Sequence, residues 1–317
     1  MNYSDFVFVN LNKNNKMKVL ITGATGLIGT ELTEKLLKND HSVNYLTTSI
    51  SKIVNKTNYN GFYWNPQEGT IDENCIEGVD VIVHLAGASI SKKWTNNYKQ
   101  ELIESRLLSA HLLFGLVKKS QNQVTQFISA SGTAIYPDTF SRVYDENSPE
   151  IEDSFLSNLV VKWEESANQF HLLSIKTTVL RTGIVFSAKG GALAQMVKPI
   201  KYGVGSGFGS GKQVQSWIHI QDLVNLYYFA ITNQTDGILN AVAPNPISNQ
   251  ELTKTIARIL KKPLFLPNIP KSVMKLILGE MHILLFQNKS VIPKRALQLG
   301  FKFKFDTAEK ALNDILL

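Results

Sequence analysis

The sequence predicts an α/β protein: a doubly wound parallel sheet with a smaller α/β lobe at its C-terminal end. Three observations carry this. Short apolar runs of strand length alternate with longer stretches of helical spacing from Lys18 to Leu180, and that alternation builds parallel sheets covered on both faces. The first run, Lys18-Val19-Leu20-Ile21-Thr22, feeds directly into a glycine-rich loop. The chain has 317 residues, 44% of them hydrophobic and 19% charged, which supplies a sizeable core and excludes a disordered polymer.

The elements follow in order. Lys18–Thr22 reads as a buried strand because it is uninterrupted and apolar. Leu27 to Asn39 has helical spacing, with Leu32, Leu36 and Leu37 on one face and Glu31, Glu34 and Lys35 on the other. Ser42–Thr47, Phe62–Trp64 and Asp80–Leu85 read as further strands, and Asn97–Lys119 as a long helix. Strand Gln126–Ser131 precedes a turn-rich loop from Pro137 to Pro149. Helix Ser157–His171 and strand Thr177–Leu180 complete this half. The pattern changes after Val185. Gly190-Gly191 and the stretch Gly203–Gly211 are glycine-rich, and the latter suits either a lid or a plain surface loop. A helix over Gln221–Thr232 is expected to be capped by Asp222, followed by strand Ile238–Val242. A helix over Ser248–Leu260 carries the Ser248/Glu251 capping-box spacing. The division expected is an N-terminal extension (1–16), a dinucleotide-fold domain (17–185, to which later segments return), a substrate-side lobe (186–263) and a helical C-terminal domain (264–317).

Bulk features narrow the function classes. One cysteine, Cys75, leaves no disulfide framework and no thiolate metal site, and the six histidines show no metal spacing. No run of about 18 apolar residues exists. Val273–Phe286 comes nearest and reads as a buried helix, so no membrane partner is expected. Met1–Lys16 lacks the apolar core of a signal peptide and the arginine pattern of a transit peptide, which favours a cytoplasmic chain. The net charge is +7, and residues 250–317 hold twelve Lys and Arg against five Asp and Glu. These cations are dispersed and lack interleaved aromatics, so they read as a solvated surface rather than a nucleic-acid site.

The chemistry starts at Gly23-Ala24-Thr25-Gly26-Leu27-Ile28-Gly29, between the first strand and the first helix. Glycines at this spacing give a tight turn, let backbone approach a phosphate, and let helix and strand pack closely. The helix N-terminus then offers free N–H groups to a pyrophosphate. At the end of the second strand, NAD-specific sites place an acid for the ribose hydroxyl. Here the residues are Thr47, Thr48 and Ser49, with Lys52 beyond. Nothing there repels a 2′-phosphate, so NADP(H) is the expected cofactor ahead of NAD(H).

Several further stretches together resemble one family. They are His84-Leu85-Ala86-Gly87, Glu101 to Arg106, Ser157 to Glu164, Leu180-Arg181-Thr182-Gly183, Trp217 to Leu223, Leu239 to Pro244 and Val291 to Arg295. With the glycine loop they resemble the extended short-chain dehydrogenases/reductases, in particular the atypical "epimerase family" subgroup with a C-terminal domain of unknown function. The resemblance implies a Rossmann-like sheet. It also implies cofactor contacts at the glycine loop, Thr47, Thr48, Leu85, Ala86, Glu101, Arg106 and Val185. Many such relatives carry an arginine where this chain has Thr48, so Arg106 is the alternative anion partner.

The wider superfamily uses Ser or Thr, Tyr and Lys, the last two spaced Y-x-x-x-K. By this resemblance Lys162 stands at the lysine position and also binds the cofactor, while Asn158 replaces the tyrosine; an amide is neither acid nor base. Gly132 falls at the serine position, leaving Ser131 and Tyr136 as the nearby hydroxyls. The catalytic candidates are therefore Lys162, Tyr136 and Ser131. The expected function is an NADP(H)-dependent oxidoreductase or epimerase acting on a small carbonyl or hydroxyl compound. The alternative is a non-enzymatic NADP(H)-binding sensor or assembly protein.

Overall fold

The computed structural model describes residues 16–317, so the expected extension lies outside the described residues apart from Lys16. The main strands are β1 (Lys18–Thr22), β2 (Ser42–Thr47), β3 (Tyr59–Asn65), β4 (Val81–His84), β5 (Gln126–Gly132), β6 (Lys176–Thr182), β7 (Ile184–Phe186), β8 (Trp217–His219) and β9 (Gly237–Ala241). Seven of them form a parallel sheet in the order β3-β2-β1-β4-β5-β6-β9. Two short antiparallel pieces, Asn55–Lys56 and Thr70–Ile71, pair with β3 at the edge. The order reverses between β1 and β4. That leaves a crevice at the carboxyl ends of the strands, where such sheets bind ligands.

The helices are α1 (Leu27–Lys38), α2 (Asn96–Lys119), α3 (Phe155–Asn168), α4 (Ala192–Lys201), α5 (Ile220–Thr232), α6 (Asn249–Ile259), α7 (Lys271–Leu278), α8 (Ile283–Phe286), α9 (Lys294–Gln298) and α10 (Ala308–Leu316). Side chains alternate across a strand, and β1 shows the consequence. Val19 and Ile21 join the core under α1 and α5, while Leu20 joins the core under α2. Both faces are covered, so β1 reads as a continuous apolar run. Leu32 and Leu36 of α1 are fully buried on the first face, each contributing about 1.5–3 kcal/mol by area. A separate core of α4, α6 and α10 around Phe186 and Trp217 builds the C-terminal lobe.

Three expectations need correction. The helix expected to reach His171 ends at Asn168 and continues as a 3-10 turn over Gln169–Leu173. α5 is capped by His219, whose side chain accepts from the Gln221 N–H. Asp222 instead accepts the N–H groups of Lys304 and Phe305 at 2.9 and 2.8 Å, pinning the C-terminal segment. The stretch Val273–Phe286 is not one buried helix: α7 buries only Met274, leaves Leu276 88% exposed, and gives way to a 3-10 turn at Gly279–His282 and the short α8. The glycine-rich segment 203–211, readable from sequence as a lid or a surface loop, is tethered to its neighbours. Its Ser206 Oγ donates to the Pro267 carbonyl, Asn268 Nδ2 donates to the Gly209 carbonyl, and Phe208 N–H donates to Asn249 Oδ1. Ser248 caps α6 as its spacing predicts, its hydroxyl accepting from the Glu251 N–H at 3.2 Å.

Candidate functional site

The glycine loop lies at the carboxyl end of β1, at the point where strand order reverses. Gly23 has φ +71°, and a Cβ there would sit 3.0 Å from the Leu85 carbonyl carbon. A Cβ on Gly29 would meet the Gly23 oxygen at 2.2 Å, so strand and helix approach too closely for any side chain. Leu27, Ile28 and Gly23 are half-buried, Ala24 and Gly29 buried, and Thr25 and Gly26 exposed. Gly26 occupies the cap position of α1 without a side-chain cap, and the first turn holds no acid. The amides at the N-terminus of α1 therefore present positive potential to the crevice.

A buried polar chain fixes the neighbouring strand end. The Thr22 hydroxyl accepts the N–H groups of Leu85 and Ala86, both at 3.1 Å. Its one proton is left for His84 Nδ1, 2.8 Å away. His84 Nε2 then carries the ring proton toward Ser109 Oγ at 3.1 Å. Burial pushes the His84 pKa down to about 4, so the ring is neutral. The sequence reading passed over this link. Its signal was a histidine ending an apolar strand beside the glycine loop.

Arg106 of α2 lies against the same loop. A Cβ on Gly87 would be 3.1 Å from its guanidinium carbon. The guanidinium stacks 4.6 Å from the Trp163 ring centre and, among the described residues, donates to the carbonyls of Leu102 and Ala88. It is buried, its Nε has no partner, and it pairs with no carboxylate among the described residues. Burial lowers its pKa to about 10. A buried cation with an unpaired donor and no counter-charge suits an anion. Glu101, one turn earlier, is exposed. At the end of β2, Thr47 is buried with its hydroxyl accepting from the Ser49 N–H, and Thr48 and Lys52 are exposed. Val185 in β7 is half-buried.

Of the three expected proton-transfer residues, Ser131 and Tyr136 join one buried network and Lys162 stands apart from it. Ser131 donates to Glu164 Oε1 at 2.6 Å. Glu164 takes two bonds from Arg181, at 2.9 and 2.8 Å. Arg181 also donates to the Tyr136 hydroxyl at 3.0 Å, and that hydroxyl donates to Asn240 Oδ1 at 2.8 Å. All five side chains are buried, and burial raises the Tyr136 pKa above its ordinary value. Lys162 and Asn158 are exposed. The face of α3 that meets Gly132 carries Val160, whose Cγ2 would lie 3.8 Å from a Cβ at that glycine. Leu156 and Glu164 share that face one turn either way, whereas Lys162 is rotated about 200° from Val160.

Residues 19–241 match the model of the NAD dependent epimerase/dehydratase family. The chain belongs to that family. Residues 269–315 match a second family model, a domain of unknown function. An epimerase family protein of Staphylococcus aureus is 35% identical over 302 residues, covering 94% of this chain and 98% of the relative. The chloroplastic SDR39U1 homolog of Arabidopsis thaliana is 34% identical, over 98% of this chain and 90% of its own. The structure of human epimerase family protein SDR39U1 with NADPH has a TM-score of 0.82 at 31% identity, covering 94% of this chain and 99% of that one. Within this epimerase/dehydratase family member, the glycine loop and the uncapped start of α1 stand together where the strand order reverses. The face of α3 that meets Gly132 carries no tyrosine or lysine between Leu156 and Glu164.

Proposed function

We propose that this chain binds NADP(H) on the glycine loop and acts as an oxidoreductase or epimerase of the extended short-chain type. Its substrate class is a small carbonyl or hydroxyl compound. The observation that carries the reading is the loop itself, packed so closely at Gly23 and Gly29 that only glycine fits, below the uncapped amides of α1. Once bound, the nicotinamide supplies or accepts a hydride. The α1 amides receive the diphosphate charge, and Arg106 is the buried cation left for an anionic group. The end of β2 presents hydroxyls and Lys52 with no carboxylate, which suits a 2′-phosphate, and the relative solved with NADPH supports the same choice. Leu85, Ala86 and Val185 line the path, with Thr47, Thr48 and Glu101 at its rim.

Proton movement follows from what is tied up. Ser131 and Tyr136 have both committed their protons inside the Glu164–Arg181 network. Lys162 projects away from the Gly132 side of α3. A proton that accompanies hydride transfer therefore comes from the substrate or from water. The same observation favours a second reading, an NADP(H)-binding protein without turnover.

Titration with NADPH and NADH, followed by cofactor fluorescence, tests the first claim. Tighter binding of NADPH is expected. Equal or tighter NADH binding overturns the 2′-phosphate assignment, and binding of neither overturns the whole reading. Deuteride transfer from labelled NADPH to a panel of aldehydes and ketones separates turnover from binding alone.

A further inference from the structure

Residues 187–191 connect β7 to α4 and cross from the C-terminal lobe to the first helix of the sheet domain. A Cβ on Gly191 would lie 3.7 Å from Leu27 Cδ2 and 3.7 Å from the Val185 carbonyl oxygen. Leu27 opens α1 at the glycine loop, and Val185 is among the residues assigned above to the cofactor path. The segment therefore packs against the glycine-loop end of α1 and against β7 at the same point. Both its ends are anchored. Phe186 is buried and stacks on Trp217, with ring centres 4.9 Å apart, and Ser187 is buried with its hydroxyl accepting the Lys189 N–H. On the far side Leu193 and Val197 are buried in α4. Between the anchors, Gly190 and Gly191 take φ of +149° and +80°, values that L side chains adopt only with strain. One ion pair closes the span: Lys189 Nζ lies 2.5 Å from Glu31 Oε1 on α1.

We infer that residues 187–191 form a strap over the bound dinucleotide, latched by Lys189 and Glu31, so that cofactor release requires the latch to open. This rests on the NADP(H) reading above and adds a control on exchange. Glu31 sits past the first turn of α1, beyond the uncapped amides, so the latch and the diphosphate occupy different places on that helix. The Lys189 side chain is 67% exposed and that of Glu31 25%. The pair is therefore screened by salt and opens readily.

Stopped-flow release of NADPH, trapped with excess NADP⁺, tests the strap in the full chain. Lys189→Ala and Glu31→Ala should each speed release about two- to fivefold, the range for an exposed ion pair. The reversed pair, Glu31→Lys with Lys189→Glu, should return the rate toward wild type. Raised salt should speed release from wild type and leave both single variants nearly unchanged. Matching unfolding midpoints show that the variants are folded. Unchanged release in both single variants overturns the strap. Slower release from Glu31→Ala also overturns it, because Lys189 would then be a phosphate ligand that Glu31 holds back. A wild type that binds no NADPH defeats the cofactor reading itself, an outcome distinct from binding with an unaltered release rate.

Discussion

Glu164 decides the fate of the two hydroxyls at and just beyond the carboxyl end of β5, Ser131 and Tyr136. Its carboxylate holds Ser131 and Arg181, and through Arg181 it holds Tyr136. Glu164→Gln should destabilise the fold by about 3 kcal/mol, because the buried Arg181 loses its counter-charge; a urea midpoint equal to wild type would contradict this. Tyr136→Phe removes a buried hydroxyl with two partners and should cost about 1–2 kcal/mol while leaving NADPH affinity intact. Lys162→Ala should leave both affinity and stability near wild type, and a tenfold loss of affinity would restore Lys162 to the site. The sequence showed which residue types were present. It could not show faces. Asn158 and Lys162 do share a helical face, but it is the exposed one. The two-residue offset between Lys162 and Val160 became visible only when Gly132 was seen against α3.

Elements were legible where burial was continuous. β1 and β2 match their expected bounds, and the long helix α2 starts one residue earlier than expected, after its Thr95 cap. Such strands are apolar on both faces, so composition alone marks them. The stretch from Val273 to Phe286 misled for the same reason. Its apolar content predicts burial, yet Val273, Leu276 and Ile277 are exposed and only Met274 of α7 is buried. Periodicity reports that a helix has an apolar face and says nothing of what covers it. Asp222 is the parallel case among caps. An acid near a helix start suits capping, but its carboxylate reaches across the fold to Lys304 and Phe305. Asp222→Ala should leave α5 formed and loosen residues 301–316. Amide exchange there should quicken by more than tenfold relative to α5; uniform exchange across both segments would contradict the pinning role.

The molecule as a whole joins its C-terminal segment to the strand ends that build the crevice. Lys289 donates to the carbonyls of Ala134 and Tyr136, Ile292 accepts from the Asn240 side chain, and the Arg295 N–H donates to Glu146. The cations concentrated after residue 250 are thus partly structural, a use that charge counting could not separate from a solvated surface. Buried histidines weaken the fold in acid. Burial holds both His84 and His219 down to about 4, against about 6.5 in an unfolded chain. Between those values the unfolded chain takes up protons that the folded chain refuses. Their contribution is complete above about pH 6.5 and is lost as pH falls toward 4, at roughly 1.4 kcal/mol per histidine per pH unit. The urea midpoint should fall between pH 7 and pH 5, and less steeply in His84→Gln; an identical slope in the variant would contradict the assignment.

The central claim is that a dinucleotide rests on the glycine loop, and Gly26→Asp tests it most directly. Aspartate is a favoured helix cap, and a Cβ at this position would have only the Gly23 oxygen near it, at 3.2 Å. The fold should therefore survive while a negative charge occupies the diphosphate position. NADPH titrations of wild type and variant, paired with unfolding midpoints, should show binding by the wild type, a loss of more than a hundredfold in the variant, and similar stability. Equal NADPH affinity in the two proteins would contradict the account.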